Sequence, residues 1–201
     1  MSLSFGSCLL DEHTGELRLK DRAPDVFKVF GLTYAYAYDS ELLERRYLEL
    51  SKLTHPDHQE TSDEASRQRI INVSAWVNQS YRDIKDSLYR AEFLLSLLET
   101  RNQCHTDSKK LPGTFLMDML ELQEELENPA TRADEDRLEE IAEQAENSRK
   151  NALKSIGDNL DNCIDSEFVD HESLQSLRNQ LNTIRYYDRI LGTVEDLLDK
   201  L

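Results

Sequence analysis

Apolar residues recur at spacings of three and four along most of the chain, the signature of amphipathic helices. Leu43, Tyr47 and Leu50 form one such stripe, on a helix that begins near Asp39 or Ser40. Ile70, Val73, Val77, Tyr81, Ile84 and Leu88 form another, preceded by Thr61 and Glu64 as a capping box. Between the two lies Thr54-His55-Pro56-Asp57-His58. Proline removes a backbone donor and disfavours helix in the residue before it, so the first helix must stop near His55. Helices joined by a short turn most easily run antiparallel, which puts His55 and Asp57 at one end of a helical hairpin.

Upstream, residues 24–31 predict a short helix, with Asp25 in its first turn and Gly31 just past its end. Thr33-Tyr-Ala-Tyr-Ala-Tyr38 alternates like a strand, yet without a partner strand it reads as an extended connection whose tyrosines pack on the hairpin. Residues 1–23 read as an arm or a small hairpin turning at Gly15. Trp76 lies beside the Val73/Val77 stripe and reads as core. Phe93 to Leu98 is denser in apolar residues than one stripe needs. The polar stretch 100–113, with Pro112-Gly113, then marks a boundary between residues 24–100 and 101–201.

In the second half, Phe115, Met119, Leu122 and Leu126 fall within about 60° of one another at the helical step, a core stripe. Leu116, Met117 and Leu120, with Glu121 and Glu124 among them, fall on the other side. A surface helix needs one apolar stripe, so the second must be covered by more of this chain or by a partner. Periodicity alone favours cover from within the chain. Asn128-Pro129 ends this helix, and Thr131 with Asp134 signals the next, carrying Leu138, Ile141, Ala145, Ala152, Leu153, Ile156 and Leu160. Asp170 caps a last helix through Leu174, Leu177, Leu181, Ile184, Leu191, Val194 and Leu198. Three amphipathic helices with short connections make an antiparallel bundle.

Composition agrees with a helical, loop-poor chain: 32% charged and 38% hydrophobic residues in 201, with six glycines and four prolines. A net charge of −16 argues against nucleic-acid binding, which needs a basic surface, and against a polybasic membrane anchor. No apolar run approaches the length that spans a bilayer. Three dispersed cysteines with no CxxC pair predict a reducing compartment and no disulfide framework. The start shows neither signal-peptide nor transit-peptide character, so the expected address is the cytoplasm, although a trimmed protein of the mitochondrial matrix would look the same. Scattered histidines give no metal site. No Gly-rich phosphate loop or nucleophile–base signature is present, so the chain is expected not to be an enzyme and to need no cofactor.

His55-Pro56-Asp57 with its flanking helices, and Phe27-Lys-Val-Phe-Gly-Leu32 upstream, resemble a J-domain. Asn78-Gln-Ser-Tyr81 followed by Arg90-Ala-Glu-Phe93-Leu-Leu95 narrows the resemblance to the HscB-type J-proteins of iron–sulfur cluster assembly. Ser80 stands where that family has alanine, and Ser87 where it usually has proline. Phe115-Leu-Met-Asp-Met-Leu-Glu-Leu-Gln-Glu-Glu-Leu126 resembles the family's docking segment for the cluster scaffold protein of the IscU type.

The resemblance implies an all-α protein, a J-domain followed by a C-terminal three-helix bundle. It implies that His55, Pro56 and Asp57, with Arg45, Arg46 and Lys52, engage a specialised Hsp70 and stimulate its ATP hydrolysis. It implies that Leu116, Met117, Leu120, Glu121 and Glu124 face the scaffold, bordered by Tyr186; a bundle-core ring is the other reading of Tyr186. The wheel and the resemblance select the same face. Leu48, Glu49, Leu53 and His58 depart from the basic pattern of many relatives, so electrostatic steering should be weaker, as for a dedicated Hsp70 partner. Some relatives carry a zinc-binding cysteine arm; residues 1–22 lack paired cysteines, and no zinc is expected. A J-protein for other clients, or a helical adaptor with an inactive loop, are the alternatives.

Overall fold

The computed structural model describes residues 25–55, 64–107 and 113–201, apart from the side chains of Ser66 and Thr114. The N-terminal arm, Pro56, Asp57, His58 and the Thr61 half of the capping box lie outside the described residues. Eight helices and no strand occur among the described ones: α1 (Val26–Val29), α2 (Ser40–Thr54), α3 (Glu64–Lys85), α4 (Ser87–Arg101), α5 (Gly113–Glu127), α6 (Pro129–Arg132), α7 (Glu135–Asp165) and α8 (His171–Leu198). They group into two compact units that divide inside α4, between Arg90 and Ala91.

In the first unit, Asp25 is the N-cap of α1, its carboxylate accepting from the Phe27 amide at 3.0 Å and the Lys28 amide at 3.3 Å. Gly31 follows with φ 58°, a conformation that costs glycine no steric penalty. Phe27, Val29 and Phe30 are fully buried. The hairpin is antiparallel by its register. Tyr47 donates to Asn78 at 3.0 Å, and, one turn earlier on α2, Glu44 accepts from Tyr81, further along α3. The Tyr47 and Tyr81 rings stack at 4.0 Å. Leu43, Leu50, Ile70, Val73, Val77 and Ile84 are buried, whereas Trp76 is only half-buried and so lies at the edge of that core.

The stretch 33–38 is irregular, and its tyrosines are tied to particular partners. Tyr34 donates to Asp25 at 2.6 Å and meets Phe27 edge-on. Burial, then that carboxylate, push its phenol up to about 12. Tyr36 and Tyr38 lie against the guanidinium of Arg90. Leu88 belongs to α4 rather than to α3, because the chain breaks at Asp86, whose carboxylate accepts from the Tyr89 amide at 2.8 Å. Ser87 is therefore the first residue of α4, where a helix leaves its N–H unpaired and where proline is tolerated.

The second unit is the three-helix bundle of α5, α7 and α8, with the latter part of α4. Asn128, Asp134 and Asp170 cap α6, α7 and α8, each carboxyl or amide oxygen accepting from an amide of the first turn. The α7/α8 pair is antiparallel by register, as Arg149 pairs with Asp188 and Asn159 with Gln180. Its core joins Leu126, Leu138, Ile141, Ala145, Ile190, Val194 and Leu197. Leu191 and Leu198 are flank rather than core, because a strict seven-residue repeat drifts around a straight helix and Ile190 and Leu197 take the buried places.

The second half of α4 groups with this bundle. Arg178 of α8 pairs with Glu92 at 2.8 Å and Glu99 at 3.3 Å. Arg101 donates to the carbonyls of Cys163, Ile164 and Ser166, which α7 leaves unpaired at its C-terminus. Gln175 and Asp107 exchange two hydrogen bonds, at 2.7 and 3.0 Å. The polar stretch after residue 100 is thus fastened to the bundle as far as Asp107.

Candidate functional site: an exposed face on α5

α5 starts at Gly113 and has two apolar stripes. The first is packed: Met119 and Leu126 are buried, Leu122 lies against the bundle core, and Phe115 meets Tyr186 and Tyr187 edge-on at 5.7 and 6.0 Å. The second is in solvent. Leu116 is 45% exposed, Met117 65% and Leu120 60%, and Glu121 and Glu124 beside them are exposed too. Intramolecular cover, which periodicity alone favours, is absent among the described residues. The reason is geometric: α7 and α8 both pack on the side of Met119 and Leu126, and one helix cannot turn both stripes inward. Truncating such exposed residues costs a fold little, but their desolvation by a partner is favourable.

Tyr186 takes the place of the bundle-core ring, the second reading offered for it. Its ring packs on the bundle core, and its hydroxyl donates to the Met119 carbonyl at 3.0 Å. Burial pushes its phenol above the ordinary value. It therefore pins α5 to α8 on the packed side of α5.

On α2 the outer face is mixed in charge. Arg45, Leu48 and Lys52 are exposed together, interleaved with Glu41, Glu44 and Glu49. Leu48 is 49% exposed and Leu53 43%, so apolar surface stands where a basic patch would be. Arg46 is different. Its guanidinium donates to the carbonyls of Phe30 at 2.5 Å and Gly31 at 2.7 Å, closing the end of α1, and it is a structural residue by its contacts. His55 ends α2 at φ −70°, ψ 129°, the extended backbone that a following proline imposes. It is exposed. Pro56 and Asp57 lie outside the described residues.

Residues 111–195 match the family model described as the HSCB C-terminal oligomerisation domain. Among solved structures, the chaperone HscB from Vibrio cholerae is 26% identical, with 89% of this chain and 99% of that chain covered and a TM-score of 0.68. The human co-chaperone protein HscB is 19% identical, with 96% and 90% covered and a TM-score of 0.74. Residues 111–195 thus carry the HscB C-terminal domain, and the chain as a whole has the fold of HscB co-chaperones.

The structure brings Leu116, Met117, Leu120, Glu121 and Glu124 onto one exposed face and packs Tyr186 against the other stripe of α5. On the hairpin it brings Arg45 and Lys52 together and turns Arg46 inward. Sequence reasoning named Arg90 only within a motif and missed its role. Only 7% exposed, it donates to the Tyr36 carbonyl at 2.8 Å and to that of Ile84, in the last turn of α3. It also missed the cluster of Arg178 with Glu92, Glu99 and Arg185, where Arg185 lies 2.5 Å from Glu92. Glu92 and Glu99, seven residues apart and so on one side of α4, were the available signal.

Proposed function

We propose that the chain binds an iron–sulfur cluster scaffold of the IscU type on the α5 face, presents it to a specialised Hsp70, and stimulates that Hsp70's ATP hydrolysis. The observation that carries this reading is the solvent-exposed Leu116, Met117 and Leu120 on a helix whose other stripe is fully used by the core. An apolar centre edged by Glu121 and Glu124 has the anatomy of a docking patch, with carboxylates at the rim to orient a partner. The Hsp70-facing elements are His55, Pro56 and Asp57 with Arg45 and Lys52 on α2. The chain performs no covalent chemistry of its own; it acts on the partner's ATPase, in the cytoplasm or an equivalent reducing compartment.

The test is single-turnover ATP hydrolysis by the partner Hsp70 with this chain added. Wild-type chain is expected to accelerate hydrolysis, and His55→Gln and Asp57→Asn are expected to abolish the acceleration while leaving scaffold binding intact. Stimulation that survives both substitutions would refute the role of the corner.

A further inference from the structure

A groove of about 310 Å3 runs between α5 and α7 beside the exposed stripe. Met119, Leu122, Ile141 and Tyr187, buried or half-buried, give it an apolar floor, and the exposed Asp118, Glu121 and Gln144 form its rim. Glu125, one turn on, is occupied by Arg137 at 2.6 Å. Asp118 and Glu121 have no ion pair among the described residues. Two carboxylates three residues apart on a helix repel each other, and a cation held between them would reverse the sign of that interaction. Most of the chain's excess negative charge lies from Ala91 onward, so this end of the molecule attracts basic partners.

We propose that this groove receives a lysine or arginine side chain of the protein docked on α5. Such a side chain lays its aliphatic stem on Met119, Leu122 and Tyr187 and its charged head between Asp118 and Glu121. Glu121 borders both the groove and the Leu120 patch, so the two surfaces are continuous. The inference rests on the reading that the α5 face docks the scaffold, and it adds a polar subsite on the α7 side that fixes the register of that docking. A basic head suits this rim and an acidic or purely apolar one does not.

The test is calorimetric titration of the purified scaffold into the full chain at low and at high salt. Gln144 is the informative position, because it is an exposed groove residue on α7 and off the α5 patch. Gln144→Lys places a competing cation at the rim and is expected to weaken binding about fivefold at low salt. Asp118→Asn is expected to do the same, and both should flatten the salt dependence, while Gln144→Glu should bind at least as tightly as wild type. If wild type binds and Gln144→Lys and Asp118→Asn match it in affinity and salt slope, the groove is overturned and the α5 reading stands. If wild type does not bind, both fall. Sedimentation of the chain alone checks the rival occupant: self-association that Gln144→Lys removes would assign the groove to a second copy and overturn the proposal.

Discussion

The Tyr186 hydroxyl donates to the Met119 carbonyl at 3.0 Å, tying α8 to the middle of α5. That carbonyl already serves the α5 ladder, so its second lone pair is what Tyr186 uses. Removing the hydroxyl leaves no orphaned acceptor. Tyr186→Phe is therefore expected to cost only about 0.5–1 kcal/mol, the low end for a lost hydrogen bond. Urea unfolding checks it, and scaffold affinity should change less than twofold, roughly within surface-substitution noise. A large loss of affinity with unchanged stability would mean that the hydroxyl itself touches the partner.

Arg90 closes the last turn of α3 and supports Tyr36 and Tyr38. Arg90→Ala leaves buried carbonyls without donors and two rings without their cation, at about 2–4 kcal/mol. Arg90→Lys keeps the charge but loses the planar fork, and should recover only part of the loss. Denaturant midpoints of both variants check this. Equal stability of lysine and arginine here would contradict the clamp.

Glu99 contributes to the acid sensitivity of the second unit. Burial acts to raise its carboxyl, but hydrogen bonds from Thr106 and the Arg178 guanidinium outweigh burial and hold it below its usual 4.5. A group with a depressed folded pKa stabilises the fold above its unfolded value and loses that contribution as pH falls through the folded value. Thermal melts should show Glu99→Gln less stable than wild type at about pH 6, with the gap closing towards about pH 3. A gap that is constant with pH would mean that the carboxylate's charge is irrelevant.

The electrostatics of α2 give a fourth expectation. Arg45 and Lys52 are exposed, whereas Arg46 is spent on Phe30 and Gly31. Arg45→Ala should reduce the association rate with Hsp70 and its salt dependence without changing stability. Arg46→Ala should lower the unfolding free energy by roughly 1–2 kcal/mol through two carbonyls left without a donor. Stopped-flow association and urea unfolding separate the two. The reverse pattern would contradict the placement of Arg46.

Helix faces were legible in the sequence because they are local: one step of 100° per residue places Met119 and Leu126 opposite Met117, whatever the rest of the chain does. Caps were legible for the same reason, as at Asp134 and Asp170. Long side chains were not. Arg46, Arg90, Arg101 and Arg178 reach partners in other segments, and nothing in periodicity says which backbone carbonyl a guanidinium will find. The same blindness made residues after 100 read as a bare break, although Arg101 and Asp107 fasten them to α7 and α8. The absence of cover over Leu116 and Leu120 needed the packing of α7 and α8 to be known, because one helix's pattern cannot report where its neighbours stop.

The most direct measurement is calorimetric affinity for the scaffold of wild-type chain and of Leu116→Ala/Leu120→Ala, with circular dichroism melts run on the same samples. The expected result is a loss of about 2–4 kcal/mol in binding, since central apolar anchors dominate such patches, with helicity and melting temperature unchanged. Wild-type affinity in the double variant, or a collapse of its helical signal, would contradict the assignment of this face to the cargo.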